Sequence, residues 1–166
     1  MKKRGKKKLN KKVNWKILIT SFIVVYAAAF IGSIFTSQGV NSDWYQSVKP
    51  VITPPNWVFP VVWNILFFLI FVSLYASLVS ARKKILKLRI GVIFGINFIL
   101  NILWSVLYFG LKNPLLAYFD LLLLMISILS MIFIIWKINR KASWLLVPYF
   151  LWVGFAGILN YLSAFR

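Results

Sequence analysis

The chain predicts an all-α integral membrane protein, a polytopic bundle of five transmembrane helices, and three observations carry that reading. Of its 166 residues, 61% are hydrophobic. The apolar residues gather into five stretches of about 20, the length that a hydrocarbon core near 30 Å requires at 1.5 Å rise per residue. Lysine and arginine gather into the gaps. The expected organisation is a basic tail over 1–14 and one transmembrane domain over 15–166, with no second domain and no internal repeat of the kind that inverted-repeat transporters carry.

The first stretch spans 15–36. Ala27-Ala28-Ala29 offers small residues of the kind a signal-peptide cleavage site uses, but the apolar run continues to Phe35, longer than a usual signal core. The stretch is therefore expected to stay as an anchor. The only long connection follows, 37–56, with Pro50, Pro54 and Pro55 near its end. Long connections in compact proteins are functional or disordered, and Trp44, Tyr45, Val48, Val51 and Ile52 give this one apolar side chains to pack, so it reads as an ordered lid. The second stretch covers 57–80 and the third 90–109. Asn113-Pro114 is a helix start, with Asn as N-cap and Pro at the first helical position, so the fourth stretch runs over 115–136. In the fifth, 143–165, Pro148 is expected to break a backbone hydrogen bond near the inner third.

Charge sets the expected orientation. Seventeen of the 20 cations lie in 1–16, 82–89 and 137–141, against Lys49, Lys112 and Arg166 elsewhere. The positive-inside rule then puts the N-terminus in the cytoplasm and the C-terminus outside, in a multi-pass cell-membrane protein. The formal net charge of +18 would point to nucleic acid in a soluble chain. Here the tail MKKRGKKKLNKK has no aromatic residue among its lysines, as a single-strand binder would need, so it reads as a topogenic arm held at anionic membrane lipid.

Composition also limits the chemistry. There is no cysteine or histidine, and the only side-chain carboxylates are Asp43 and Asp120. Zinc sites, thiol nucleophiles, Ser-His-Asp triads and histidine acids cannot be built, and no metal site is expected.

What remains is the polar residues inside the membrane, which are costly there and mark cavities or helix contacts. Asn97, Asn101, Trp104, Ser105 and Tyr108 form one stripe on the third helix, and Tyr149, Trp152, Ala156 and Asn160 another on the fifth. The second helix presents Pro60, Trp63, Asn64 and Phe67; the fourth presents Asp120. Asn64, Asn101, Ser105, Asp120 and Asn160 all fall in the outer half of the bilayer, and the inner half holds almost nothing comparable. The expectation is a polar, tryptophan-lined pocket in that half, roofed by the long connection. Interhelical hydrogen bonds alone, each worth about 0.6 kcal/mol, give no reason to crowd one leaflet. Asp120, a member of this ligand-binding set, is expected to hydrogen-bond Asn or Ser of the third helix, with direct ligand contact as the alternative. Trp15, Trp136 and Trp144 read as interfacial anchors. The deeper Trp63, Trp104 and Trp152 suit either packing or a large planar ligand. Gly91 and Gly95, one turn apart, suit either a homodimer contact or packing inside the bundle.

These residues carry a family resemblance. Trp44-Tyr45, Lys49-Pro50, Thr53-Pro54-Pro55-Asn56-Trp57-Val58-Phe59-Pro60 with Trp63, Asn101-Ile102-Leu103-Trp104-Ser105, and Pro148-Tyr149-Phe150-Leu151-Trp152 with Ala156 and Asn160 resemble the tryptophan-rich sensory protein family, also called the translocator protein or peripheral benzodiazepine receptor family. The resemblance covers about 15–165. It implies a five-helix bundle, usually a homodimer, that binds porphyrins (protoporphyrin IX or haem), sterols and benzodiazepine-type ligands beneath the long connection, which brings Trp44, Pro54 and Pro55 into the site. It also implies light- and oxygen-dependent porphyrin breakdown in bacterial relatives, with Trp63 and Trp152 at the positions of the participating tryptophans. Ile52 departs from the tryptophan common in the family before Thr-Pro-Pro. A loose sterol pattern runs from Leu159-Asn160-Tyr161 to Arg166. Three functions follow: a tetrapyrrole receptor or carrier, a photo-oxidative porphyrin-degrading protein, or a membrane component without a ligand.

Overall fold

The computed structural model describes residues 13–165. The basic tail expected over 1–14 lies outside these residues but for Val13 and Asn14, and so does Arg166, the end of the loose sterol pattern. All regular structure among the described residues is helical. Five helices are long and apolar enough to cross a membrane: Trp15–Gly39, Val58–Ser80, Lys84–Gly110, Pro114–Trp136 and Arg140–Ala164.

Helix α1 (Trp15–Gly39) starts at Asn14, whose side chain accepts the Ile17 amide, and runs three residues beyond its expected end at 36. It stops at Gly39, where a β-carbon would collide with the base of the Phe109 side chain. The lid contains a short helix, α2 (Asp43–Val48), capped by Ser42. Helix α3 (Val58–Ser80) follows. Helix α4 (Lys84–Ser105) starts six residues before the expected 90, because lysine and arginine are good helix formers whose stems lie along apolar surface while their charges reach water. Its end widens into a π-helical turn, Val106–Gly110, closed by Leu111 N–H donating to the Val106 carbonyl at 2.8 Å. The wider turn leaves consecutive side chains, Tyr108 and Phe109, both buried. A tight turn with Lys112 at φ 52° leads to α5 (Pro114–Trp136), which has the N-cap and first-turn proline read from the sequence.

The fifth span is interrupted. A short helix α6 (Arg140–Trp144) precedes α7 (Val147–Ala164), and Pro148 sits in the first turn of α7. The expectation that Pro148 breaks a hydrogen bond inside a continuous helix is corrected: at the first turn the missing N–H has no partner to lose.

Helix α5 is the spine. Leu121, Leu124, Ile128, Met131 and Ile135 repeat at three- and four-residue spacing, are 0–2% exposed, and share one core cluster with Phe94 of α4, Tyr149 and Val153 of α7 and Leu66 and Ile70 of α3. The opposite faces are equally apolar and exposed, as on Val61, Ile65 and Phe68, so burial in water does not select one stripe; the outer surface suits hydrocarbon. One end of the bundle carries Lys16, the 82–89 cations and the 137–141 cations with Trp15 and Trp144 exposed beside them; the other carries α2. We call these the basic end and the lid end.

The expectation that the basic half is almost free of polar groups needs revision. Ser21, Ser73, Ser77 and Ser143 are fully or nearly fully buried there. Three of them donate to backbone carbonyls, Ser73 to Ala142 at 2.8 Å, Ser77 to Ser73 at 2.7 Å and Ser143 to Ile132 at 2.8 Å, which is how a small hydroxyl is tolerated between helices. These three hydroxyls are consumed by the packing, whereas the Ser21 hydroxyl is buried with no partner among the described residues. Larger polar side chains do concentrate nearer the lid.

Candidate ligand cavity

A cavity of about 730 Å³ occupies the lid half of the bundle, within the size range of small-molecule sites. Its position follows from how α1 packs. Near the basic end α1 lies against α3, with Phe22 edge-on to Phe71 at 5.7 Å. Near the lid α1 instead leans on the end of α4, through Gly39 on Phe109 and Gly32 beside Ser105. α1 and α3 therefore diverge toward the lid, and the cavity fills the wedge. Phe30 and Ser33 of α1 and Pro60 and Asn64 of α3 line it and are also exposed, so it reaches the lipid-facing surface between these two helices.

Among the described residues, none that lines the wall is charged. It is built from aromatic faces, Trp63 stacked on Phe67 at 5.4 Å and Trp104 stacked on Tyr108 at 5.2 Å, with hydroxyl and amide groups between them. Most of these polar groups are already engaged. Ser33 donates to Phe30, Thr36 to Gly32 and Asn64 to Pro60, each to a carbonyl of its own helix. Trp104 Nε1 donates to Asn160 Oδ1 at 2.9 Å, and Asn160 Nδ2 donates to the Pro114 carbonyl at 2.7 Å. The buried Ser105 hydroxyl lines the cavity beside Gly32.

Of the sequence-predicted residues, the cavity brings together Trp63, Asn64, Asn101, Trp104, Ser105, Ala156 and Asn160. The others stand elsewhere. Trp152 lines a recess of about 30 Å³, room for one water, that shares Trp63, Asn101, Trp104 and Ala156 with the main cavity. Its indole N–H is buried with no partner among the described residues. Tyr149 is fully buried behind the wall: its hydroxyl donates to Asn97 Oδ1 at 3.2 Å and accepts from Asn101 Nδ2 at 3.3 Å, while Asn97 Nδ2 donates to Ser127 at 2.8 Å. Trp44 packs edge-on against Tyr108 at 5.6 Å, above the cavity. Pro54 and Pro55 lead into α3, and the roof is made instead by Pro50, Thr53 and Tyr45. Burial and the neighbouring Tyr108 push the Tyr45 hydroxyl up to about 12, so it serves the roof as a neutral group.

Asp120 does not make the hydrogen bond expected of it. Both its oxygens are buried with no hydrogen-bond partner among the described residues, while Asn97 donates to Ser127, Asn101 to Tyr149 and Trp104 to Asn160 instead. Val51 and Ile52, expected to pack the lid, are 95% and 58% exposed. The face contributed by α1 was missed, although Ala29, Gly32, Ser33, Thr36 and Ser37 recur at helical spacing as a run of small and hydroxyl residues.

Comparison with known proteins decides the ancestry. Residues 21–165 match the TspO/MBR family. The chain belongs to that family. It is 41% identical over 145 residues to the tryptophan-rich protein TspO of Archaeoglobus fulgidus, covering 87% of this chain and 92% of that one. It is 40% identical to the tryptophan-rich protein TspO of Chlorobaculum tepidum, covering 81% and 85%, and 34% identical to protein CrtK of Rhodobacter capsulatus, covering 84% and 86%. The resemblance drawn from the tryptophan and proline motifs is thereby established, as is the multi-pass helical membrane architecture. Within this TspO/MBR member, Trp63, Asn101, Trp104 and Asn160 converge on one cavity from three different helices.

Proposed function

We propose that this protein is a membrane receptor or carrier that binds porphyrins, and ligands of similar flat apolar shape such as sterols or benzodiazepine-type molecules, in the lid-half cavity, for tetrapyrrole transport, sensing or disposal. The observation that carries the reading is the wall itself: uncharged, aromatic on facing helices, and about 730 Å³ in volume. A planar macrocycle gains dispersion and stacking contact from Trp63 and Trp104, and hydrogen bonds from the few amide and hydroxyl groups left free. A small hydrophilic substrate would gain little there. In this reading the N-terminus and basic end face the cytoplasm, the lid faces outward, and two copies pair through the Gly91–Gly95 face of α4.

A second reading is light- and oxygen-dependent porphyrin breakdown. It is favoured by indoles at two depths, Trp63 on the cavity wall and Trp152 in the adjoining recess. The chemistry would belong to the excited porphyrin and oxygen, the protein supplying orientation and electron-rich rings. Titration with protoporphyrin IX in darkness and under illumination tests both. A saturable shift of the Soret band in the dark is expected for the receptor; additional protein-dependent bleaching in light marks the second reading. No shift at any concentration would leave a membrane component without this ligand.

A further inference from the structure

The lid ends in a β-turn whose composition is inverted. Thr53 N–H donates to the Pro50 carbonyl at 3.0 Å, closing a turn with Val51 and Ile52 at its tip. Turn tips in water are dominated by Gly, Asn, Asp and Ser, for backbone and solvation reasons that a β-branched apolar pair does not meet. Here Val51 is 95% exposed and Ile52 58%. The two flanking residues face the other way: Pro50 is buried, and both it and Thr53 line the cavity. The turn is thus fixed to the roof by its base, and its tip projects from the protein.

What covers that tip is indicated by its continuation along the chain. Five residues after Ile52, Trp57 is 68% exposed at the start of α3, and Val61, Ile65 and Phe68 carry the exposed apolar stripe down the helix at 50%, 56% and 53%. Steps of four, four and three place these side chains on one face, the face that hydrocarbon must cover in a membrane span. Five residues reach at most about 17 Å, so the tip lies close to where this face meets the membrane interface. Tryptophan at such a position is the usual interfacial anchor. Neighbouring α2 differs: Asp43 and Gln46 are exposed there.

We infer that the Val51–Ile52 turn is a membrane finger, inserted into the lid-side leaflet beside Trp57, which ties the cavity roof to the bilayer. The occupant is the lipid interface. Because Pro50 and Thr53 form part of the cavity wall, the position of the roof is then set by the membrane as well as by the protein.

The chain has no native cysteine, which makes the test direct. Val51→Cys, Ile52→Cys and Gln46→Cys, each in the full chain, are nitroxide-labelled, reconstituted in phosphatidylcholine bilayers, and compared by electron paramagnetic resonance for collision with dissolved oxygen and with a water-soluble nickel chelate. Labels at 51 and 52 should meet oxygen more often than nickel, and the label at 46 the reverse. Nickel accessibility at 51 and 52 equal to that at 46 would place the tip in water and overturn the inference. Shielding from both reagents would mean that protein, a second copy included, covers the tip, and would overturn it equally. The measurement uses no ligand, so its outcome is independent of the porphyrin reading.

Discussion

Trp104 of α4 donates its indole hydrogen to Asn160 of α7 across 2.9 Å, and the same asparagine donates onward to the Pro114 carbonyl at the head of α5. One amide therefore holds together three helices at the back of the cavity. The bond also fixes the plane of the Trp104 ring, which stacks on Tyr108 at an interplanar angle of 19°.

Trp104→Phe should accordingly cost more than a contact. It leaves Asn160 Oδ1 without its donor, which is expected to lower stability by about 1 kcal/mol, on the scale of a stranded polar group and of hydrogen bonds between membrane helices. Thermal unfolding in detergent should register the loss. Porphyrin affinity should fall as well, because the ring loses its fixed orientation. Asn160→Asp keeps an acceptor for the indole but gives up the donor to Pro114, and should separate the two bonds.

The Tyr149 hydroxyl bridges Asn97 and Asn101 behind the wall, in a fully buried setting. Tyr149→Phe keeps the ring and removes the bridge, leaving one amide oxygen and one amide N–H unpaired. The expected loss is about 1–3 kcal/mol of stability, the cost of buried polar groups left without partners. Ligand affinity should change less than stability, since only Asn101 of this set reaches the cavity. An equal loss of both would mean that Tyr149 itself touches the ligand.

The spans were legible because hydrocarbon imposes a length and a composition that no soluble helix needs; 57–80 and 115–136 differ from α3 and α5 by one residue at one end. The convergence of Asn101, Trp104 and Asn160 was legible too, since period and direction of the helices bring them to one level. What escaped depends on packing. Nothing in the composition of α1 says that it leaves α3 near the lid and leans on Phe109, yet that tilt makes the wedge. The fate of Asp120 was equally hidden, because whether a donor on another helix comes within reach of its carboxyl is settled by tertiary packing. Pro148 could be read as a breaker, but the break at Leu145–Leu146 that removes its penalty is a tertiary choice.

Dimerisation through α4 is the next expectation. A β-carbon built on Gly91 or Gly95 meets nothing within 4 Å, so neither glycine serves close packing inside the bundle. They leave a shallow, side-chain-free strip where a second backbone can approach. Gly91→Leu with Gly95→Leu should therefore leave the fold and its melting temperature nearly unchanged while shifting detergent-solubilised protein from dimer to monomer in light-scattering mass measurements. An unchanged mass would remove this strip from the interface.

The sharpest expectation separates binding from photochemistry. Trp63 lies on the cavity wall, stacked on Phe67, while Trp152 lies in the adjoining recess between Phe59 at 5.9 Å and Phe155 at 5.6 Å. Trp→Phe at either site keeps an aromatic face, so dark porphyrin affinity should weaken by about 1 kcal/mol or less, on the scale of aromatic pair energies. Phenylalanine is a much poorer electron donor than indole, so protein-dependent bleaching under light should fall much further than affinity. The two positions should also differ: Trp63 touches the space a ligand fills, so its replacement should affect binding more, whereas Trp152 can act on a bound ring only across the recess. Trp15→Phe, exposed at the basic end, is the control and should alter neither quantity. If Trp63→Phe and Trp152→Phe bleach porphyrin as fast as the parent protein, the two indoles have no part in the photochemistry, and the cavity is left with the binding role alone.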